Sequence, residues 1–180
     1  MPLNLPFDPI ERAAGTWRER FGPSSAMAAV TSIMRAHQIL IAQLDTLLKP
    51  YDLTFARYEA LVLLTFSRTG ALPLSRIGER LMVHPTSVTN TVDRLERAGL
   101  VVRRRNPNDG RGVLAEITEA GRAAVRAATA DLMAADFGLG MYGEADLTAM
   151  FDLLRTLRVA AGDFAEARPP TGDEPPLAVN

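Results

Sequence analysis

The sequence predicts a mainly α-helical fold with one small β-hairpin past its middle. Three observations lead there. Apolar residues recur at helical spacing along much of the 180-residue chain. Gly and Pro cut those periodic stretches into helices of ordinary length. A single stretch, 100–118, has short apolar-containing runs on either side of Asn106-Pro107-Asn108-Asp109-Gly110, a strong turn sequence.

The elements follow in order. Residues 1–9 are rich in Pro and read as irregular. Ile10 to Phe21 forms a short helix carrying Trp17, ended by Gly22-Pro23. Ser24 or Ser25 caps a long helix that Pro50 closes near Lys49. Its apolar stripe, Val30, Met34, His37, Ile41, Leu44 and Leu48, steps by four and three residues, a spacing that suits packing on another helix. Thr54 caps a further helix to Ser67, with Tyr58, Leu61, Leu64 and Phe66 as core candidates, and Gly70 ends that segment. Pro73-Leu74-Ser75 leads into a short helix, Arg76 to Leu81. Met82-Val83-His84 is a turn, and Pro85 opens the next helix, where its missing N–H costs nothing. That helix runs to Ala98 and stops at Gly99. Leu100–Arg105 and Gly112–Thr118 are the two strands. A helix then runs from Thr118 or Glu119 to about Phe137, and a last one from Glu144 to Ala165. The tail beyond Arg168, with four prolines, reads as disordered.

Composition narrows the function. There is no cysteine, which excludes disulfides, thiolate metal sites, a cysteine nucleophile and thiol redox sensing in this chain. His37 and His84 are the only histidines, too few for a metal site without help. No triad order, phosphate-cradling Gly loop or cofactor fingerprint is present, so neither an enzyme nor a cofactor is predicted. No apolar run approaches the ~18 residues of a membrane span, and Met1–Asp8 lacks a signal-peptide pattern. A cytoplasmic protein is expected. The net charge of −1 hides an asymmetry. Residues 76–126 hold ten Arg against six acidic residues, for +4; the remainder holds ten basic and fifteen acidic residues, for −5. A basic segment on a near-neutral chain is the electrostatic footprint of a nucleic-acid reader.

The informative unit is 72–118: short helix, turn, helix, strand, tight turn, strand. That order is a winged helix-turn-helix, in which one helix braces a second that lies in the major groove. On the helix Pro85–Ala98, Val88, Val92 and Leu95 share one side. Thr86, Ser87, Thr89 and Asn90 are short hydrogen-bonding residues near its N-terminus, suited to bases or phosphates. Arg94 and Arg97 come later and suit phosphates. Arg103, Arg104, Arg105 and Arg111 flank the hairpin turn and suit the negative potential of a narrow minor groove. A winged helix that serves protein–protein assembly without DNA remains the alternative.

The residues Leu74-Ser75-Arg76-Ile77-Gly78, then Val88 through Val101, then Asn108-Asp109-Gly110-Arg111 and Ile117-Thr118-Glu119-Ala120-Gly121, resemble the MarR family of bacterial regulators. Ile117 stands where Leu is commoner. The resemblance implies a homodimer with intertwined N- and C-terminal helices on a pseudo-palindromic double-stranded DNA site. It implies that Asp109 and Arg111 brace the wing, with Arg111 reaching the minor groove. It further implies a repressor released by a small aromatic or acidic effector, with Trp17, Met34, His37, Tyr58, Phe66 and Met82 as pocket candidates. For His37, a core role and a pocket role both stay open. The helix bearing Trp17 is similar to that of a urate-responsive branch. The Asp and Arg which that branch pairs are here Glu59 and Thr91, so urate is not predicted.

The expected organisation is therefore an N-terminal extension, 1–23; a dimerisation region, 24–53 with 119–165; a winged helix-turn-helix, 54–118; and a tail, 166–180.

Overall fold

The computed structural model describes residues 4–107 and 112–164. The expected tail and the turn residues 108–111 lie outside that range. The described residues divide into two compact units, with the boundary between Thr46 and Leu47.

The first unit holds α1 (Pro9–Phe21) and most of α2 (Ser25–Leu48). Asp8 caps α1, its carboxylate accepting from the Ile10 N–H at 2.8 Å, with Pro9 in the first turn. Gly22 ends α1 at φ 99°, a value that favours glycine. The Ser24 carbonyl accepts from the Ala28 N–H at 2.9 Å, which starts α2 where the sequence places it. The expected stripe on α2 is only partly covered within one chain. Leu44 and Leu48 are buried, whereas Val30, Met34 and His37 face outward.

The second unit carries the rest. A short 3-10 turn, Lys49–Tyr51, contains Pro50 and leads to α3 (Phe55–Phe66). Tyr58, Ala60, Leu61 and Leu64 of α3 are buried, and Phe66 is not. Phe66 follows Leu64 by two residues, about 200° around the helix, so a core Leu64 puts Phe66 outside. Next come β1 (Ala71–Pro73), α4 (Leu74–Leu81), α5 (Pro85–Arg97), β2 (Val101–Arg105) and β3 (Val113–Ile117). The three strands form an antiparallel sheet in the order β1-β3-β2. Ala115 is the pivot of the register, facing Leu72 on one side and Arg103 on the other. The core of this unit gathers α3, α4, α5, α6 and the inner face of β3 around Leu61, Leu64, Ile77, Val92, Leu95, Val101 and Ala115. Each fully buried Leu or Ile contributes roughly 1.5–3 kcal/mol relative to its exposed state.

The sheet and the start of α4 depart from the expectation. The hairpin has gained a third strand, β1, which three residues ending in Pro do not announce. Pro73 can stand there because β1 is an edge strand, where a missing N–H is tolerated. Helix α4 begins two residues early, since Pro73 takes the N-cap place at ψ 143° and Leu74 starts the turn.

The joint with α6 (Glu119–Ala134) explains the Thr-x-x-Gly sequence. Thr118 caps α6, its hydroxyl oxygen accepting from the Gly121 N–H at 3.0 Å. The same hydroxyl donates to the Gly99 carbonyl at 2.8 Å, and the Thr118 N–H donates to the Leu100 carbonyl at 3.0 Å. Further ties hold α6 in place: the Tyr58 hydroxyl lies 2.9 Å from the Thr129 hydroxyl, and the Tyr51 hydroxyl donates to Asp131 at 2.5 Å. Helix α6 ends at Ala134 rather than near Phe137. Phe137 lies instead in a 3-10 turn at φ 51°, a left-handed backbone that breaks the helix. Helix α7 (Glu144–Ala161) stops short of the expected Ala165 because Gly162 caps it at φ 83°. No helix among the described residues is long and apolar enough to cross a membrane.

A methyl group on Gly121 would stand 2.2 Å from the Leu100 carbonyl oxygen, whereas one on Gly15 of α1 would meet nothing within 4 Å. Gly121→Ala is therefore expected to destabilise the protein by about 2 kcal/mol or more. Gly15→Ala is expected to stabilise it by about 0.5–1 kcal/mol, as Ala does for Gly inside a helix. Urea denaturation of both variants checks the pair, and similar midpoints for the two would contradict the joint described here.

Candidate nucleic-acid interface

Helix α5 is built with two faces. Val88, Val92 and Leu95 are each at most 2% exposed and fix the helix against the core. Thr86, Ser87, Thr89, Asn90, Arg94 and Arg97 are all exposed. Gly78 on α4 permits the close crossing that presents this face. A methyl group there would lie 3.3 Å from both the Val83 carbonyl oxygen and a Val88 methyl. Met82 turns the chain between α4 and α5 in a left-handed conformation, φ 54°.

The start of α5 holds a residue the sequence reading placed only in a turn. His84 is the N-cap: its Nδ1 accepts from the Thr86 N–H at 3.3 Å and lies 3.1 Å from the Thr86 hydroxyl. The signal was available, since a residue directly before an N1 proline is the capping position. Thr89, exposed on this face, donates its hydroxyl proton to the Pro85 carbonyl at 3.2 Å, which leaves its oxygen lone pairs to accept. No carboxylate pairs with Arg94 or Arg97 among the described residues. Both are thus available to a polyanion.

The wing arginines divide by strand alternation. Arg103 shares a face with buried Val101 and turns toward α5. Its guanidinium Nη1 is 2.5 Å from Asp93 and 2.7 Å from Glu96, and its backbone N–H donates to Glu96 at 3.1 Å. Partial burial works against its charge, but the bonds to Asp93 and then Glu96 outweigh that and hold its pKa above the ordinary guanidinium value. Arg103, a candidate DNA contact from the sequence, is here directed at α5 and partly covered. Arg104 points to the opposite face and pairs with Glu116 of β3. Arg105 is exposed at the end of β2. Asp109 and Arg111, expected to brace the wing, lie outside the described residues.

Of the six pocket candidates, Trp17, Met34 and His37 belong to the first unit and Tyr58, Phe66 and Met82 to the second. Trp17 stacks near Phe21 on α1, ring centres 5.0 Å apart. Met34 lines a groove of about 620 Å³ with Leu5, Phe7, Ile10, Arg35 and Gln38. His37 is exposed on α2, Phe66 is exposed at the end of α3, and Tyr58 is a core residue. Met82 lines a different groove, beside Gly78, Val83 and Pro85.

Residues 56–113 match the sequence model of the MarR family. A MarR family transcriptional regulator from Streptomyces coelicolor, known from a near-atomic-resolution crystal structure, is 67% identical. The match covers 78% of this chain and 98% of that one, with a TM-score of 0.73. The chain belongs to the MarR family. An uncharacterised helix-turn-helix transcriptional regulator of Bacillus subtilis is 32% identical over 87% of this chain and 92% of its own. A second Streptomyces coelicolor MarR family regulator, solved in complex with DNA, shares the fold at 21% identity and a TM-score of 0.68, over 74% of this chain and 86% of that one. Membership of the MarR family makes this protein a DNA-binding transcription regulator of winged-helix build. The alternative of a module that serves only protein assembly is set aside.

The cap at His84 has a measurable consequence. His84→Ala should cost about 1 kcal/mol, and His84→Asn should return most of it, because Asn is among the strongest N-caps. Equal urea midpoints for wild type and both variants would remove His84 from the account of how α5 begins.

Proposed function

We propose that two copies of this chain bind a pseudo-palindromic site in double-stranded DNA, reading it through α5 and repressing transcription until a small molecule releases them. The observation that carries this reading is the two-faced build of α5. One side is locked by Val88, Val92 and Leu95. The other offers four short polar side chains at the N-terminal end and two arginines further along. Thr86, Ser87, Thr89 and Asn90 suit base edges and nearby phosphates, and Arg94 and Arg97 suit phosphates. Arg105, exposed at the end of β2, is the described wing arginine proposed to meet the minor groove, with Arg111 the further candidate from the sequence. The work is regulation rather than catalysis, in the compartment that holds the DNA, the cytoplasm.

The second copy is argued from α7, which buries none of its own residues. Phe151 is 57%, Leu153 74% and Leu157 58% exposed, and Val30 and Met34 of α2 are similarly bare. A helix apolar on several sides and uncovered needs a partner surface. The regions 24–53 and 119–165 are the proposed dimerisation parts, and 54–118 is the proposed reading head. For the effector, the groove lined by Leu5, Phe7, Ile10 and Met34 has the size and apolar character of a small-molecule site. Arg35, which also lines the groove, suits an acidic aromatic ligand.

Selection of duplexes from a random pool, followed by fluorescence anisotropy, tests the reading. The selected duplex should lose roughly a thousandfold or more in affinity between 50 and 200 mM salt if six or more phosphates are contacted. Arg94→Ala and Arg97→Ala should weaken all duplexes alike and each lower the salt slope by about one. Asn90→Ala should instead change the ranking among related duplexes, and equal losses on every sequence would demote it to a phosphate contact. Leu157→Glu should shift sedimentation from dimer to monomer, and an unchanged dimer would place the interface elsewhere.

A further inference from the structure

Glu96 and Asp93 are acidic residues on the helix proposed to read DNA, which is an unfavourable place for negative charge. Both are occupied by one group. The Arg103 guanidinium reaches Asp93 and Glu96 together, and Glu96 also takes the Arg103 backbone N–H. Three bonds therefore tie the middle of β2 to the last two turns of α5. Arg103 is half-buried, and its partners are partly covered, so the bridge is held more firmly than a solvent-exposed ion pair. Both side-chain contacts are made by one terminal nitrogen, Nη1, which stands between the two carboxylates at the end of a stem long enough to reach α5.

We propose that Arg103 is a positioning residue for operator recognition: it fixes the wing to the reading helix and removes two carboxylates from the DNA-facing field, without itself touching DNA. The inference rests on the reading of α5 and the wing as the DNA-binding surface. A helix in one groove and a hairpin beside it bind the same duplex only if their separation matches it. The Arg103 bridge is a side-chain link between the two elements, and its loss loosens their relative placement beyond the fixed joint at residues 99 and 100. Specific binding needs that match. Loose, salt-driven association with arbitrary DNA does not.

The test uses the full chain, the duplex it selects from a random pool, and a scrambled duplex of equal length. Arg103→Met keeps the apolar stem and removes the fork, and Glu96→Ala breaks the same link from the helix side. For each, the ratio of selected-duplex to scrambled-duplex affinity should fall about tenfold, with the salt slope unchanged. The double variant should be no worse than the weaker single variant, as expected for two residues that act as a unit. Arg103→Lys should lie between wild type and Arg103→Met. Circular dichroism melting verifies that each variant is folded at the assay temperature, and Glu96→Ala serves if Arg103→Met is not. Equal losses on both duplexes, with a salt slope lower by about one, would make Arg103 a direct phosphate contact and overturn the proposal. An unchanged ratio with a lowered melting temperature would reduce the bridge to fold stability and also overturn it. Failure of the wild type to select any duplex would overturn the DNA reading itself.

Discussion

At the boundary between β3 and α6, one threonine hydroxyl serves two chains of hydrogen bonds. It caps α6 through the Gly121 N–H and reaches back to the Gly99 carbonyl, while the Thr118 N–H holds the Leu100 carbonyl. Residues 99 and 100 are the exit from α5, where the helix ends and the first wing strand begins. The C-terminal end of the reading helix is thereby fastened to the N-terminal end of α6. The fastening requires the Leu100 carbonyl to lie against the first turn of α6, and only a residue without a side chain leaves room for it. The orientation of α5, the start of the wing and the course of α6 are all set from this contact. Tyr58 and Tyr51 then fix α6 further along, from α3 and from the 3-10 turn that follows α2.

The second theme is how charge is distributed. The excess of arginine in residues 76–126 is not spent uniformly on a basic surface. Arg103 neutralises Asp93 and Glu96, Arg104 meets Glu116, and Arg76 meets Glu79. Arg94 and Arg97 keep their charge for solvent or a polyanion. A residue count gives +4 for the segment, yet the side chains divide into internal fasteners and outward charges according to strand and helix phase. On β2, alternation alone decides this: Arg103 faces the helix with Val101, and Arg104 faces away.

Much of the fold was legible because its signals are local. Proline at the start of α5, glycine at 22 and 99, and the phase of Val88, Val92 and Leu95 each carry a direct physical meaning at the residue concerned. What escaped was set by partners distant in sequence. Strand β1 exists because Glu116, Ala115 and Leu114 are there to pair with it, not because Ala71-Leu72-Pro73 favours a strand. The inward turn of Arg103 depends on two carboxylates that stand seven and ten residues earlier on another element. The cap by His84 was within reach, since its position before Pro85 is sufficient, but histidine is a less familiar capping residue than Asn or Ser. Phe66 could have been placed by phase alone, because it cannot share a face with Leu64.

The small sheet has two outer strands, and each has one outward amide removed or occupied by a different means. On β1, Pro73 offers no amide, and on β2 the outward amide at the centre of the strand is held by the Glu96 carboxylate. A sheet edge with unoccupied amides is a template on which another chain can add a strand. The same carboxylate that ties β2 to α5 therefore also occupies an amide that an added strand would otherwise use.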